Sequence, residues 1–173
     1  MDYIKNGGSG FFEKNNTDRI TTQLGITHHL NEYSYLQFKN SYSRFDRSIA
    51  IPAYRFDALQ QSSFSEFTWN QQGETADWIL GANLLTDQLR EQQLSSDPLR
   101  NYNYNTVGLF IQNTWTVSSL FTLETGLRGD YINEYGFELL PRISGMFKLS
   151  PKITTRLGGG FGYKSPTIFT EEA

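Results

Sequence analysis

Apolar residues recur at every second position through most of this chain, and that period decides what it can fold into. A period of two places successive side chains on opposite faces of an extended strand, whereas an amphipathic helix needs a period near 3.6. Helix signals are weak. The period predicts eight strands, at 19–28, 33–45, 62–70, 77–89, 104–117, 121–132, 139–149 and 153–164. Most run to roughly 9–12 residues, the length a tilted strand needs to cross a bilayer. The apolar face of the first carries Ile20, Thr22, Leu24 and Ile26. The next three carry Leu36, Phe38 and Tyr42, then Phe67 and Trp69, then Trp78, Leu80, Ala82 and Leu84. The fifth and sixth carry Val107, Leu109, Ile111 and Trp115, then Phe121, Leu123, Thr125, Leu127 and Tyr131. The last two carry Leu139, Ile143, Phe147 and Leu149, then Ile153, Thr155, Leu157, Phe161 and Tyr163.

Charge falls on the opposite face. Arg19, Lys39, Glu66, Asp77, Asp87, Glu124, Arg128, Asp130, Arg142, Lys148, Arg156 and Lys164 all oppose the apolar set, and Arg44 is the exception. The connections alternate in expected length. Short ones lie at 29–32, 71–76, 118–120 and 150–152, and longer ones at 46–61, 90–103 and 133–138. Short turns at one end of a sheet and long loops at the other is the layout of outer-membrane barrels. Trp69, Trp78, Trp115, Phe121 and Phe147 fall near the short turns, and Tyr42, Tyr104, Tyr131 and Tyr163 near the long loops. Two such aromatic girdles suit the two membrane interfaces, because these rings have an apolar body and, in Trp and Tyr, a polar tip.

Composition narrows the field further. The 173 residues include no cysteine, which excludes a disulfide scaffold and a thiolate zinc site. No run approaches the 18 or so apolar residues of a membrane helix. A charged fraction of 19 %, mixed in sign, argues against a disordered tail, and a net charge of −3 gives no reason to expect a nucleic-acid partner. Mean hydropathy is −0.50 although 15 % of residues are aromatic. Strands that hide their hydrophobicity by alternation account for both figures. Met1-Asp-Tyr-Ile-Lys has neither a positive n-region nor an apolar h-region. That fits a cytoplasmic protein or a piece of a longer one.

Several local patterns suggest chemistry and fail on inspection. Gly158 to Ser165 resembles a phosphate loop, but Tyr163 precedes Lys164-Ser165 where the pattern needs glycine, and Pro166 disfavours a following helix. A glycine-lined strand against which another backbone packs is the better reading. His28 and His29 point to opposite faces of a strand, so a metal site would need a third ligand from elsewhere. Glu171-Glu172 are adjacent and rarely converge on one reacting atom. Asn15-Asn16-Thr17 matches a glycosylation sequon and stands alone. No catalytic residue, metal site or cofactor is expected, and no enzyme activity.

Periodicity alone leaves two all-β architectures open. One is a transmembrane barrel. The other is a soluble β-sandwich, a binding module for carbohydrate or surface adhesion, with its aromatics in the core between two sheets about 10 Å apart.

The last hairpins carry a resemblance. Leu140-Pro-Arg-Ile-Ser144, then Gly158-Gly-Gly-Phe-Gly-Tyr-Lys-Ser-Pro-Thr167 and Glu171-Glu172, resemble the mid-barrel signature of TonB-dependent outer-membrane receptors. The preceding hairpin is similar to two further family strands, in Phe110-Ile-Gln-Asn-Thr-Trp115 and Gly126-Leu-Arg-Gly-Asp130. Asn113 and Thr114 stand where the family usually has an acidic pair. The specific likeness covers residues 104–173; residues 17–89 match only in general pattern.

The resemblance implies a barrel of about 22 strands with a plugged lumen. Such receptors import scarce large ligands, such as ferric siderophores or cobalamin, with energy delivered through TonB. It implies that residues 1–173 are about eight antiparallel up-and-down strands of that barrel. The plug domain and the remaining strands are absent. The expected location is the outer membrane of a Gram-negative bacterium, with lipid against the apolar face. The excised segment is not expected to transport alone, and it could self-associate to bury that face. Lumen- or plug-facing candidates are Glu124, Arg128, Asp130, Arg142, Arg156, Lys164, Thr167 and Glu171. Their cations would pair with carboxylates of the plug or barrel, or attract an anionic ligand. The chain is expected to leave the wall near Ser165-Pro166. Loop candidates for ligand contact are Tyr54, Arg55, Tyr102 and Tyr104, because loops on a rigid scaffold usually hold specificity.

Overall fold

A computed structural model describes residues 12–52, 54–92 and 98–164. Among them there is no helix. Eight strands form one antiparallel sheet in strict chain order. They are β1 (Lys14–Asn31), β2 (Ser34–Ile51), β3 (Tyr54–Gln71), β4 (Ala76–Glu91), β5 (Tyr102–Thr116), β6 (Phe121–Ile132), β7 (Gly136–Ser150) and β8 (Ile153–Gly160).

The register carries the alternation across the whole sheet. Ile26, Phe38, Phe67, Ala82, Leu109, Gly129 and Leu139 stand opposite one another in sequence, one from each of β1 to β7. The neighbouring row is His28, Leu36, Trp69, Leu80, Ile111, Leu127 and Pro141. Directly opposed residues share a face, so these rows make one continuous apolar face. It is not covered: Leu109 is 64 % exposed and Leu80 51 %. A sandwich needs a second sheet against that face. All eight strands belong to one sheet, so the sandwich expectation is set aside.

Two further expectations change. The segment expected as a loop over 46–61 is strand over 46–51 and 54–61, and 136–138 belongs to β7. Of the third long loop, expected over 90–103, residues 90–91 belong to β4 and 102–103 to β5. β2 and β3 are 18 residues each, well beyond the ~9–11 that span a bilayer. The hairpin therefore stands past the apolar band as paired strands.

In that extension the two faces exchange polarity. The face that carries Leu36 and Phe38 lower down now carries Arg44, Asp46 and Ser48 on β2, facing Gln61, Leu59 and Asp57 on β3. The other face carries Ile49 opposite Phe56. Phe56, Ala58 and Leu89 are buried there, with Ile49 and Tyr102 packed against them. Such an exchange is what a sheet passing from lipid into water would require, its apolar side chains moving to the sheltered face.

The aromatic girdles are half as expected. Trp69, Trp78, Trp115 and Phe147 line the apolar face by register, and Phe121 stacks on Phe147 with centroids 4.6 Å apart. Tyr42 and Tyr131 lie on that face as well. Tyr104 does not: it stands opposite Asp87, on the charged face. Tyr163 follows the end of β8 and also reaches the charged face. Its strand ends at Gly160 rather than at Lys164.

Candidate functional site

The charged face holds four groupings, set out by the register. The first is deepest. Gly108 of β5 stands between Asn83 of β4 and Asp130 of β6. Arg128, two residues before Asp130 and on the same face, donates from Nε to both carboxylate oxygens at 2.8 and 2.9 Å. Its Nη2 donates to Asn83 Oδ1 at 3.1 Å. Asp130 is 1 % exposed, and a buried carboxylate stays charged only with such donors. Glycine at 108 makes the room: a Cβ there would lie 2.4 Å from Asp130 Oδ1 and 2.6 Å from Asn83 Oδ1. Tyr163 completes the group, donating its hydroxyl to Asp130 Oδ2 at 2.8 Å.

The second grouping lies toward the long-hairpin end. Tyr102 and Tyr104 alternate onto the same face of β5 and stack, with centroids 4.9 Å apart and planes 17° apart. Tyr135, in the β6–β7 turn, tilts against Tyr104 at 5.7 Å, and the two hydroxyls are 3.2 Å apart. Gly136 closes that turn with φ +85°, a conformation that favours glycine. Behind the rings, Asp87 accepts from Gln60 Nε2 at 2.9 Å and from the Tyr102 hydroxyl at 3.4 Å. The result is a ledge of three tyrosines backed by one carboxylate.

The third ties the tall hairpins together. Arg100 donates to Glu91 Oε1 from Nη2 at 2.6 Å and to Oε2 from Nε at 3.0 Å, and to the Tyr54 hydroxyl at 2.9 Å. Its guanidinium lies 4.9 Å from the centroid of Phe56. The hydrogen bond from Arg100 holds the Glu91 carboxyl below its ordinary value, against the opposing effect of burial. Arg100 is raised in turn, first by Glu91 and then by Tyr54. On the outer face of the same hairpin, Arg55 pairs with Asp57 at 2.7 Å. Ser48 donates to Asp57 as well, and that hydrogen bond is the larger reason its carboxyl is lowered.

The fourth lies toward the short turns. Glu124 is shared by Arg142 at 3.4 Å and Arg156 at 3.7 Å. Lys39 reaches Glu66 at 3.9 Å on the same face.

Of the residues expected to matter, Arg128 and Asp130 come together, and so do Glu124, Arg142 and Arg156. Tyr102 and Tyr104 meet on the ledge. Tyr54 is tied to Arg100, and Arg55 stands on the other face. Lys164 is exposed beyond β8, and Thr167 and Glu171 lie outside the described residues. Sequence reasoning missed Asn83, Gly108, Gln60, Tyr135 and Arg100, and placed Asp87 on the charged face without giving it a role. The equal parity of Tyr102, Tyr104 and Asp87's partner position was available as a signal only once the register was known.

A single up-and-down sheet, apolar on one face and charged on the other, with Trp at one rim, is the wall of an outer-membrane β-barrel. The chain belongs to the family described as TonB dependent receptor-like, beta-barrel, whose model matches residues 2–171. Barrels of this family lie in the outer membrane of Gram-negative bacteria, and that is the location of this chain. The fold is similar to that of the alcaligin outer-membrane receptor FauA of Bordetella pertussis, with a TM-score of 0.73 and 11 % identity over 85 % of this chain. It is similar to the ferric enterobactin receptor PfeA of Pseudomonas aeruginosa, with 0.69 and 14 % over 88 %. It is also similar to the copper transporter OprC, with 0.68 and 12 % over 88 %. The chain spans 29 %, 26 % and 31 % of those three structures. Curated protein sequences give no match.

Proposed function

We propose that this chain is a wall segment, about eight strands, of a larger plugged barrel that imports a scarce, bulky ligand such as a ferric siderophore or a cobalamin. The other strands and the plug belong to the rest of that receptor, and TonB supplies the energy. The reading rests on the ledge of Tyr102, Tyr104 and Tyr135. It lies on the interior face beyond the apolar band, where an arriving ligand first meets the wall. Stacked tyrosines offer flat, polarisable surface and hydroxyl donors to an aromatic or planar chelate, and Asp87 fixes their positions. Below it, Glu124, Arg128, Asp130, Arg142, Arg156 and Lys164 face the plug in this reading.

The test uses the full-length receptor that contains this segment. Quenching of intrinsic fluorescence by a ferric catecholate chelate, a ferric hydroxamate chelate and cyanocobalamin is compared between the native receptor and Tyr104→Ala. One of these ligands should bind, and its affinity should fall on the order of tenfold or more with loss of a stacked ring. Equal binding of the bound ligand by both proteins, or no binding of any of the three, overturns the reading.

A further inference from the structure

The tyrosine ledge carries negative charge that no cation answers. Asp87 stands directly opposite Tyr104 across the β4–β5 ladder. It accepts from Gln60 Nε2 at 2.9 and 3.2 Å and from the Tyr102 hydroxyl at 3.4 Å, and these donors are neutral. Gln60 also donates to the Tyr102 hydroxyl, at 3.0 Å. Glu134 flanks the other side, one residue before Tyr135 in the exposed β6–β7 turn, and accepts from Asn133 Nδ2 at 3.4 Å. Among the described residues neither carboxylate has an ion pair. The nearby cations are matched already. Arg100 donates to both oxygens of Glu91, at 2.6 and 3.0 Å, and Arg128 to both oxygens of Asp130, at 2.8 and 2.9 Å. Glu138, opposite Asp130 on the same face, adds a further carboxylate. Arg47, also on this face, stands two strands and two rows from Asp87, in the row of Glu91.

We infer that the ledge takes a ferric chelate of neutral or positive charge, the class that hydroxamates form, and turns away the trianion that catecholates form. The inference rests on the imported-ligand reading above and names the class of ligand within it. Hydroxamate groups, singly charged, balance a ferric ion; catecholate groups, doubly charged, leave it strongly negative. A trianion over the ledge meets Asp87 and Glu134 with no free guanidinium beside them, and like charges brought together cost affinity and exclude partners. A neutral chelate meets no such opposition. Its ligand oxygens are acceptors for the hydroxyl of Tyr135, whose side chain is 46 % exposed. A pendant ammonium gains twice, from the two carboxylates and from the ring faces, which attract a cation.

The experiment measures quenching of the full-length receptor's fluorescence by a neutral ferric trihydroxamate, the same chelate bearing one ammonium, a ferric tricatecholate and cyanocobalamin. The ammonium-bearing chelate should bind at least as tightly as the neutral one, and both about tenfold or more tighter than the tricatecholate. Asp87→Asn and Glu134→Gln should each weaken the ammonium-bearing chelate several-fold and leave the neutral one within about twofold. Heat-modifiable migration on gels shows that each variant has assembled. Glu134 lies in an exposed turn, so Glu134→Gln carries the test if Asp87→Asn does not assemble. Preference for the tricatecholate, or binding of cyanocobalamin alone, overturns this inference and leaves the import reading standing. Equal loss of the neutral and the ammonium-bearing chelate in the variants, or no loss of either, also overturns it. Binding of none of the four overturns both.

Discussion

The hydroxyl of Tyr163 donates to the buried carboxylate of Asp130, 33 residues earlier in the chain. Tyr163 follows the end of β8, and Asp130 belongs to β6, so the bond reaches past β7. Phe161 still donates its N–H to the Pro141 carbonyl at 3.0 Å, and Tyr163 reaches the charged face; the expected departure near Ser165-Pro166 falls outside the described residues. Asp130 thus serves two masters: Arg128 within the sheet and Tyr163 beyond it.

Asp130→Asn keeps an acceptor for Tyr163 but removes the charge that Arg128 faces. Breaking a buried pair costs about 3–5 kcal/mol; Arg128 is 35 % exposed on its side chain, which lets water take up part of the loss. A destabilisation of about 1–3 kcal/mol is expected, read as a lower heat-modification midpoint of the full-length receptor. Tyr163→Phe should cost about 1 kcal/mol, one hydrogen bond, and leave the wall intact.

Gly108→Ala tests the room that this cluster occupies. The added Cβ meets Asp130, Asn83 and Arg128 Nη2 at 2.4, 2.6 and 2.9 Å, and forced overpacking costs typically about 1–3 kcal/mol. Gly25→Ala, on the same face of β1, meets nothing within 4 Å. It should stay within about 0.5 kcal/mol. Equal midpoints for the two variants would remove the steric argument.

Leu109→Arg places a charge in the middle of the apolar rows. A cost of about 2–4 kcal/mol is expected at the bilayer midplane, seen as poor insertion into lipid vesicles. Leu59→Arg, on the same outer face but beside Arg90 in the extension, should insert normally. That contrast checks the exchange of polarity between the two faces.

Acid should loosen the hairpin tips first. Glu91 titrates below its ordinary 4.5 because Arg100 donates to it. A lowered carboxyl lends stability above its unfolded value and loses it as pH falls through the folded one. Amide exchange at Glu91 and Arg100, whose N–H donates to Glu91, should therefore speed up below pH 4.5, beyond the intrinsic change. In Arg100→Gln that extra acceleration should vanish.

Which side chains share a face was legible in the residues alone, because alternation is a local property of an extended chain. Arg128, Asp130, Arg142 and Arg156 could be assigned to the charged face without knowing any neighbour. The strands' upper limits were not legible. The phase was followed through apolar residues, and Arg44 and Asp46, with Arg55 across the register, occupy the face that Leu36 and Phe38 hold below. An exit from lipid into water, which no local run of residues announces, accounts for a strand that continues while its polarity exchanges.

The sequence by itself determined strand number, the face of most side chains and the resemblance to the receptor family, since each rests on period or on a local run of residues. The tertiary structure decided what the charges do. Glu124 lies between Arg142 and Arg156 because the β6–β7–β8 register brings three strands to one point. Asp130 is buried because Gly108, 22 positions away, leaves it space. Tyr104 has the parity opposite to Val107 and Leu109, which the residues already held, whereas Tyr163 lies past the end of β8 and reaches the charged face only through its bond to Asp130.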